Sequence, residues 1–332
     1  MQRLHFAGTA EYAACFTDPD FWRPYVETVC DRLGLGSRRV IRAGLPGTNA
    51  VFLVDGTWAV KLYPDLFGGQ ASFPAEVELY GLVARAGLPA PALVAHGALF
   101  DDDLPWRWPY IVTRVIPGGS LGESQVSDDD RLALARWLGP LVRSIHRLPL
   151  EGCISLQPDW DGFAAYLEAQ RAGVAARHAG WGMPAHLAAQ LDAYIPPVAA
   201  LIDREAPPAV MHCDLNHDHV LGLEEGGRWR PTGIIDFGDA RVGDPAYELG
   251  ALHLGLFHSD RRLLRAFLDS YGWEIHPGFP RRAMCMALLH ECNVLWSVFE
   301  DLPHAAEVAT LEELEQLVWD VSLESSVLSL QS

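Results

Sequence analysis

The sequence predicts an α+β fold of two lobes, a small β-rich amino-terminal lobe followed by a larger, mostly helical carboxy-terminal lobe. Short apolar runs typical of strands dominate residues 39–115, whereas longer segments with helical spacing dominate the chain beyond them. The segment Pro117-Gly118-Gly119 separates the two patterns and is a strong break signal. We therefore expect one lobe of residues 1–116 and a second of residues 117–332.

The amino-terminal lobe is predicted to begin with a helix and to continue as a sheet. Apolar side chains from Phe21 to Leu33 recur at helical spacing. The pair Asp55-Gly56 lies between two apolar runs and is typical of a tight hairpin turn. A second helix is predicted over residues 72–86. The predicted strands cover residues 40–41, 51–54, 57–62, 93–96 and 110–115.

The carboxy-terminal lobe is predicted to be a series of helices that one polar loop and one strand interrupt. Residues 212–219 are polar, and an apolar run that ends in an acid follows at residues 233–236. The predicted helices cover residues 128–147, 160–178, 184–204, 245–257, 259–271, 279–300 and 311–320.

Composition limits the class of protein. The chain has 332 residues, of which 49% are hydrophobic and 20% charged, as in ordinary globular proteins. No window approaches 18 uncharged apolar residues and the start lacks the apolar core of a signal peptide, so we expect a cytoplasmic protein. We also expect it to be a monomer. Six scattered cysteines without a CxxC pair favour free thiols over disulfides or zinc.

The net charge of −18 narrows the choice of partners. Nucleic acids and anionic membrane surfaces require basic patches, so neither is expected as a partner. A polycationic small molecule would be attracted by such a protein. General solubility is an equally good explanation of the charge when it is considered alone.

Two carboxylates, Asp214 and Asp236, each follow an apolar run and lie 22 residues apart. Strands that deliver an acid at their ends are typical of phosphotransferase sites. In such a site one carboxylate orients the attacking hydroxyl and accepts its proton, and the other holds the magnesium ion that bridges the nucleotide phosphates. We assign the first role to Asp214 and the second to Asp236.

The motifs around these acids resemble those of the aminoglycoside phosphotransferase family, which is similar to the eukaryotic protein kinases. The chain reads HCDLNHDH, then IIDFGDARVGDPAYELG. Other segments resemble hygromycin B 7''-O-phosphotransferases most closely, among them WAVKL, WRWPY, IHRLPL, GWG and a late LHE. The resemblance implies a two-lobed, protein-kinase-like fold and the use of ATP, or GTP, with Mg²⁺.

The resemblance assigns Lys61, at the end of an apolar strand, to the α- and β-phosphates of the nucleotide. It also implies that Lys61 pairs with a glutamate on the following helix. Glu76 is our choice, and Glu78 is the alternative. A lysine at a sheet edge that reaches solvent without a function is the competing interpretation, and without the downstream motifs it would be preferred.

Two further segments are expected at the nucleotide. The loop that contains Gly47, Thr48 and Asn49 has small side chains, which let backbone N–H groups approach phosphates. It matches neither a GxGxxG nor a Walker motif. The segment before Pro117 resembles the inter-lobe linker of the family. That resemblance implies that the backbone around Arg114 and Ile116 binds the purine edge.

His219 departs from the family pattern, which usually has Asn at this position. We predict that His219 and Asp236 hold metal, although imidazole is a poorer ligand for Mg²⁺ than an oxygen donor. The same replacement occurs in members that resemble macrolide phosphotransferases. A metal-hydrolase cluster is the competing interpretation of the histidines and acids of residues 212–219, but their spacing does not match its usual string. His212 is expected to brace the loop through backbone hydrogen bonds.

Three residues are candidates for contact with the substrate: Glu291, Asp244 and His290. An aminocyclitol offers ammonium and hydroxyl groups, which carboxylates on the helices would bind. For each acid a solvated helix face is at least as good an interpretation. Glu291 is the leading candidate because it lies in the LHE segment, and Asp244 also suits a cap on the helix that begins near Pro245.

Taken together, the sequence predicts an ATP-dependent small-molecule O-phosphotransferase. The expected acceptor is a hydroxyl of an aminoglycoside or aminocyclitol such as hygromycin B, so the expected role is antibiotic resistance. The first alternative keeps the fold and changes the acceptor to a macrolide, a sugar or another small metabolite. The second is a catalytically silent nucleotide-binding protein, which the replacement at His219 favours and the presence of Lys61, Asp214 and Asp236 disfavours.

Overall fold

The computed structural model describes residues 2–36, 39–101 and 105–322. The internal contacts of the chain divide it into two compact units. The first unit contains Met1–Gly118 together with Thr232–Asp239, and the second contains Gly119–Pro231 and Ala240–Ser332. The chain therefore leaves the first unit, forms much of the second, and returns to the first for the short segment that carries Asp236.

The first unit is built on a five-stranded antiparallel sheet with the order β1-β2-β3-β5-β4. A helix follows the third strand, as the sequence pattern predicts. The strands are β1 (Ile41–Ala43), β2 (Ala50–Val54), β3 (Trp58–Leu62), β4 (Leu93–Ala98) and β5 (Pro109–Arg114), and the helices are α1 (Thr9–Ala13), α2 (Pro19–Leu33) and α3 (Gly69–Arg85).

The hairpin between β2 and β3 is formed by the predicted turn residues. Asp55 and Gly56 adopt left-handed backbone angles, with φ of 53° and 61°, which glycine adopts freely and aspartate tolerates better than most residues. Val54 then pairs with Trp58 across the turn. This register alternates buried and half-buried side chains along β2 and brings the end of β3, with Lys61, to the centre of the sheet.

Helix α2 is bound to this sheet by an apolar face. Asp18 caps its amino terminus by accepting a hydrogen bond from the Asp20 amide, and Gly34 ends it with a φ of 65°. Trp22 and Val26 are fully buried and belong to one core with side chains of the sheet. Burial of each such side chain contributes roughly 1.5–3 kcal/mol, so the helix stabilises the sheet that positions Lys61.

The second unit is mainly helical, as predicted, with two small sheets. One sheet has the order β6-β8-β9 and the other pairs β7 with β10 antiparallel. The elements are β6 (Gly119–Ser120), α4 (Asp128–His146), α5 (Trp160–Arg171), α6 (Val174–Gly180), α7 (Ala185–Ala188), α8 (Leu191–Tyr194), β7 (Ala209–Met211), β8 (Val220–Glu225), β9 (Arg228–Ile234), β10 (Arg241–Gly243), α9 (Arg261–Tyr271), α10 (Phe279–Leu288), α11 (Trp296–Asp301) and α12 (Leu311–Trp319), with 3-10 turns at Leu121–Glu123, Val198–Ala200, Pro245–Glu248 and Pro303–Ala306 and a π-helix at Gly250–Leu256.

Several of the long helices predicted for this unit are interrupted. The helix predicted over residues 160–178 is broken where Gly173 takes a left-handed φ of 76° between α5 and α6. The helix predicted over 184–204 is divided into the short helices α7 and α8 and a 3-10 turn, and Pro196-Pro197 prevents α8 from continuing. The helix predicted over 279–300 ends at Leu288. His290 and Glu291 therefore lie in a loop, not on a helix face.

Two expectations from composition can be compared with the described residues. All six cysteines are free thiols. In residues 2–36, 39–101 and 105–322, no helix combines the length and the apolar character needed to cross a bilayer.

We predict that protonation of His253 limits stability at acidic pH. Its ring is fully buried on the π-helix, Nε2 donates to the Val318 carbonyl at 2.9 Å, and burial lowers its pKa to about 4. An unfolded histidine has a pKa near 6.5, so the neutral ring's stabilising contribution is complete above that value and is lost as pH falls toward 4. Between pH 7.5 and pH 5 we expect a loss of about 2 kcal/mol from this group.

Urea unfolding of the wild type and of His253→Gln at both pH values measures this contribution. The variant keeps a donor for the Val318 carbonyl but cannot be protonated, so its loss of stability between the two pH values should be smaller by that amount. Equal losses of unfolding free energy in both proteins would show that His253 does not determine the fall in stability at acidic pH.

Candidate active site

Lys61 is held between two carboxylates within the first unit. Its side chain is 7% exposed, and Nζ lies 2.8 Å from Glu76 Oε2 on α3 and 2.6 Å from Asp236 Oδ1. Burial alone would lower the pKa of Lys61, but the charges and hydrogen bonds of Asp236 and Glu76 outweigh it and raise the pKa above its usual value. The ammonium group is therefore charged, and its partner on α3 is the first of the two glutamates considered.

Lys61 is the only lysine in the chain, since the other 24 of its 25 basic residues are arginines. A guanidinium is larger and planar, and it spreads its charge over several nitrogens, whereas an ammonium is a compact point charge. A composition that uses arginine everywhere else but lysine here indicates a position that requires the compact group. The sequence alone carries this signal.

Tyr63 is a further member of this network that the sequence analysis missed. Its hydroxyl donates to Glu76 Oε2 at 2.5 Å, and both residues are fully buried. The Trp106 indole donates to the Tyr63 carbonyl at 2.9 Å and fixes the segment after β3. Burial raises the pKa of Glu76, and the Lys61 ammonium opposes that rise. Glu76 thus has two fixed donors on one oxygen, which hold the carboxylate in place.

Asp236 is presented by an unusual backbone conformation. Its φ of 64° is left-handed, and Phe237 anchors the next position by packing edge-on against Tyr80 at 5.0 Å. Gly238 follows closely, because a Cβ there would lie 3.2 Å from Asp236 Oδ1 and 3.3 Å from Glu76 Oε2. The Asp236 side chain is 35% exposed. Its carboxylate is therefore accessible, and its oxygens suit Mg²⁺ as ligands.

The loop predicted to cover the phosphates joins β1 to β2. Gly47 and Thr48 are exposed, whereas Asn49 is half-buried and its amide lies 3.5 Å from the Thr48 hydroxyl. No atom comes within 4 Å of a Cβ placed on Gly47. The backbone there is open to a ligand, which is compatible with the predicted role.

Arg114 and Ile116, the two residues predicted to contact the purine, differ in their position relative to the sheet. The Arg114 amide donates to the Ala92 carbonyl at 2.9 Å, and its guanidinium stacks on Trp58 with 3.8 Å between the guanidinium carbon and the ring centre. That N–H is already used within the sheet, so it is not available to a base. Ile116, beyond the end of β5, is half-buried and is the better candidate for contact with the purine.

In the second unit, β7 leads into the loop that carries Asp214. Its carboxylate is 31% exposed, and Asn216 Nδ2 donates to Oδ1 at 2.9 Å. His219 Nδ1 lies 2.6 Å from the Asp214 carbonyl, so this nitrogen carries the proton in the neutral ring. Among the described residues, no three His, Cys, Asp or Glu side chains are grouped to hold a metal ion.

Glu248 braces the same loop from the Pro245–Glu248 turn. Its two oxygens accept the His212 amide at 2.7 Å and the Cys213 amide at 3.2 Å. His146 Nε2 lies 3.6 Å away, an ion-pair distance. Burial would raise the pKa of Glu248, but His146, His212 and the backbone donor lower it. His212 itself accepts the Asp214 amide on Nδ1 at 3.3 Å, which agrees with a bracing function.

Two of the three predicted substrate residues are buried. Asp244 is 1% exposed. It caps the turn that begins at Pro245 by accepting the Ala246 amide at 3.0 Å, and it forms an ion pair with Arg282. His290 is 2% exposed and hydrogen-bonds only to backbone. We therefore correct both assignments, since neither side chain has a surface that a substrate can reach.

Glu291 is 34% exposed but already has a partner. Arg241 donates to its Oε1 at 3.1 Å, and the Arg241 guanidinium stacks on Tyr166 with 3.8 Å between the guanidinium carbon and the ring centre. A substrate ammonium at Glu291 would have to compete with this guanidinium. The acid predicted as the leading substrate contact is accessible, but its charge is compensated.

These motifs and their geometry agree with comparisons to known proteins. A model of the phosphotransferase enzyme family matches residues 40–285. The chain belongs to this family. Relatives named aminoglycoside 3'-phosphotransferase occur in Streptomyces fradiae, 29% identical over 216 residues that cover 60% of this chain and 73% of that protein, and in Streptomyces ribosidificus, 30% identical over 174 residues that cover 50% and 59%.

A further relative shares only a part of its length with the chain. The lysine-specific demethylase JMJ21 of Arabidopsis thaliana is 27% identical over 276 residues, which cover 64% of this chain but 29% of that protein. The chain thus spans less than a third of the demethylase. This similarity adds nothing about demethylation.

Solved structures with the same fold include aminoglycoside phosphotransferases. The GDP and kanamycin complex of APH(2")-IIIa has a TM-score of 0.65 at 20% identity, covering 90% of this chain and 97% of that one. A ternary complex of APH(4)-Ia with ADP and hygromycin B has a TM-score of 0.55 at 15% identity, covering 88% and 97%. At such identities the likeness shows the fold alone, and it confirms the predicted kinase-like α+β class.

We predict that Glu76 sustains the high pKa of Lys61. Because the chain has a single lysine, protein labelled with ¹³C at lysine Cε gives one side-chain signal, and its chemical shift in a pH titration reports the charge of that ammonium. Glu76→Gln removes one of the two carboxylates while burial remains, so the pKa of Lys61 should fall by about one unit or more.

Glu78→Gln is the matched control on the same helix and should leave the Lys61 titration unchanged. If Glu76→Gln and the wild type titrate alike, Asp236 alone determines the charge of Lys61.

Proposed function

We propose that the chain is a cytoplasmic, monomeric O-phosphotransferase that moves the γ-phosphoryl group of ATP or GTP to a hydroxyl of an aminoglycoside or aminocyclitol, with hygromycin B as the leading candidate. Family membership and the aminoglycoside 3'-phosphotransferase relatives support the reaction class. The observation that carries the proposal is the single lysine, buried between Glu76 and a half-exposed Asp236.

In the proposed reaction Lys61 binds the α- and β-phosphates of the nucleotide. Glu76 and Tyr63 hold the ammonium in position, and the open backbone at Gly47–Asn49 with Ile116 binds the rest of the nucleotide. Asp236, with His219, would hold Mg²⁺, which when bound neutralises charge that develops on the phosphates. A carboxylate oxygen and a neutral imidazole nitrogen fit a divalent cation, although the imidazole favours softer ions than Mg²⁺.

Asp214 is the proposed acid–base group. Asn216 and the backbone of the loop fix its carboxylate, which stays accessible. The acceptor hydroxyl gives its proton to Asp214 while its oxygen forms the new bond to the γ-phosphorus. The bond between that phosphorus and the β-phosphate oxygen breaks, and the nucleoside diphosphate leaves. The protein's contribution is therefore position and charge, with no covalent intermediate on the chain.

A macrolide, a sugar or another small metabolite is the second candidate acceptor. The ion pair between Arg241 and Glu291 favours it, since that pair removes the free negative charge expected for an ammonium group of the substrate. The net charge of −18 favours the cationic acceptor. A silent nucleotide-binding protein is not favoured, because Lys61, Asp214 and Asp236 are all present. The side chains of Asp214 and Asp236 are also partly exposed.

An acceptor panel tests the proposed reaction. Release of nucleoside diphosphate is measured with ATP or GTP and Mg²⁺ in the presence of hygromycin B, kanamycin, a macrolide or glucose. We expect acceptor-dependent release with an aminoglycoside, and its KM should rise with salt because attraction between opposite charges is screened. Release of nucleoside diphosphate with the macrolide or glucose, but not with either aminoglycoside, would support the second candidate. No release with any acceptor would contradict the acceptor classes proposed.

We predict that Asp214→Ala lowers kcat by about 10²-fold or more, the usual effect of removing a positioned acid–base group. The nucleotide Kd should change little, because Lys61 and Asp236 are intact. Calorimetric titration of nucleotide and the diphosphate-release assay measure the two quantities separately. Near wild-type turnover in the variant would contradict the proposed role.

A separate prediction concerns the ligand at His219. If Nε2 binds the metal, the wild type should favour Mn²⁺ over Mg²⁺ more strongly than His219→Asn, whose amide supplies oxygen instead. His219→Ala should lose metal-dependent turnover. The ratio of kcat/KM in the two metals measures this preference. If His219→Ala keeps the wild-type ratio and turnover, the ring only packs beside the loop.

A further inference from the structure

The residue before Asp214 has a strained backbone. Cys213 has a φ of 66°, in the left-handed region that residues with a side chain rarely adopt. It is fully buried and is neither Gly, Asn nor Asp, the residues that tolerate this conformation best. Such a conformation persists only where surrounding contacts fix it, and it determines the direction in which the next residue leaves the turn.

Glu248 fixes the amide side of Cys213. Its Oε1 accepts the Cys213 N–H at 3.2 Å while Oε2 accepts the neighbouring His212 N–H at 2.7 Å. The glutamate is 1% exposed, and so water does not compete for these amides. Two successive backbone donors are thereby directed at one carboxylate.

His290 fixes the carbonyl side of the same residue. Its Nδ1 accepts the Cys292 N–H at 3.1 Å, so Nε2 carries the proton and donates to the Cys213 carbonyl at 3.0 Å. The ring lies flat against Tyr247, with 4.7 Å between ring centres and 15° between planes. Both nitrogens of the imidazole are used, and the stacked ring has little freedom to rotate.

We propose that Glu248 and His290 act together as a clamp on Cys213 that holds the loop in the conformation from which Asp214 reaches the acceptor hydroxyl. Both are positioning residues, since neither side chain has a surface that can contact a substrate. The clamp stands on the contacts above. Its catalytic consequence alone rests on the role proposed for Asp214.

The clamp explains why a histidine lies at position 290. Its imidazole, in the loop that follows α10, donates to the carbonyl of the left-handed residue Cys213. Glu248, which accepts from the Cys213 amide, and His290, which donates to the Cys213 carbonyl, come from two different segments of the chain. Loss of either side should let the peptide relax toward an ordinary conformation, which would turn Asp214 away.

Thiol protection tests the clamp without reference to activity. Cys213 and Cys285 are both fully buried in the second unit, whereas Cys292 is exposed. Labelling with iodoacetamide, followed by mass spectrometry of the peptides, gives a rate for each thiol. His290→Phe keeps an aromatic ring against Tyr247 but removes the donor. It should increase labelling of Cys213 about tenfold or more and leave Cys285 protected.

Two control variants make that result specific. His290→Gln retains an N–H donor and should restore most of the protection of Cys213. His253→Phe removes an equivalent bond, from a buried imidazole to the Val318 carbonyl, and should leave Cys213 protected. Equal gains at Cys213 and Cys285 in His290→Phe, or no gain at Cys213, would overturn the clamp, because the first indicates general loosening and the second an intact peptide.

Turnover tests the link to Asp214. With an acceptor that supports diphosphate release, His290→Phe should lower kcat about tenfold or more, with nucleotide KM within about twofold of the wild type. Glycine adopts the left-handed region freely, so Cys213→Gly combined with His290→Phe should recover part of the lost kcat. If kcat is unchanged in His290→Phe, or if glycine recovers none of it, the clamp does not position the acid.

Should no acceptor support release, the labelling results still decide the clamp. Failure of the proposed function and failure of the clamp are therefore distinguishable.

Discussion

The first unit depends on one buried ammonium. An unpaired charge at the end of β3 would be strongly unfavourable in the core of a sheet, so Lys61 requires its carboxylates. One of them, Glu76, fixes α3 against the sheet. The other, Asp236, belongs to the segment that returns from the second unit, and the same segment is joined to the first unit by the Ile234 amide, which donates to the Pro89 carbonyl at 3.0 Å.

In each unit the candidate catalytic or metal-binding acid is associated with a left-handed residue. Asp236 has that conformation itself, and Cys213 precedes Asp214. An ordinary strand would direct such side chains to the faces of its sheet, whereas a left-handed residue turns the chain sharply at the strand end. The cost is met by buried partners, namely Lys61 for Asp236 and the pair Glu248 and His290 for Cys213. Parts of the molecule that look structural are therefore required for the geometry of both carboxylates.

The sequence was sufficient for the class of fold, for the five strands and for the pairing of Lys61 with Glu76. Periodicity and turn residues determine those features locally. It was insufficient for Asp244 and His290, which were assigned to substrate, because chain position does not show whether a polar side chain faces solvent or a buried backbone group. Tyr63 and Glu248 were missed for the same reason. Two of the long helices were predicted wrongly because a left-handed glycine, Gly173, or a proline pair, Pro196-Pro197, interrupts an apolar periodicity that continues beyond it.

Selection of an acceptor depends on the charge of individual side chains where the acceptor binds, and not on the net charge of the protein. A net charge of −18 raises the concentration of any cation near the protein, but it does not distinguish one cation from another. Discrimination requires a carboxylate whose charge is uncompensated where the acceptor binds. Glu291, the exposed acid of the LHE segment, shares its charge with Arg241, and that guanidinium is in turn fixed on Tyr166. An ammonium group gains at Glu291 only if it replaces a stacked arginine, whereas a hydroxyl can accept from Arg241 and donate to Glu291 without breaking the pair. An acceptor that bound at Glu291 would therefore be recognised through hydroxyl groups, which aminoglycosides and neutral sugars share, and selectivity for ammonium groups would have to come from other acids.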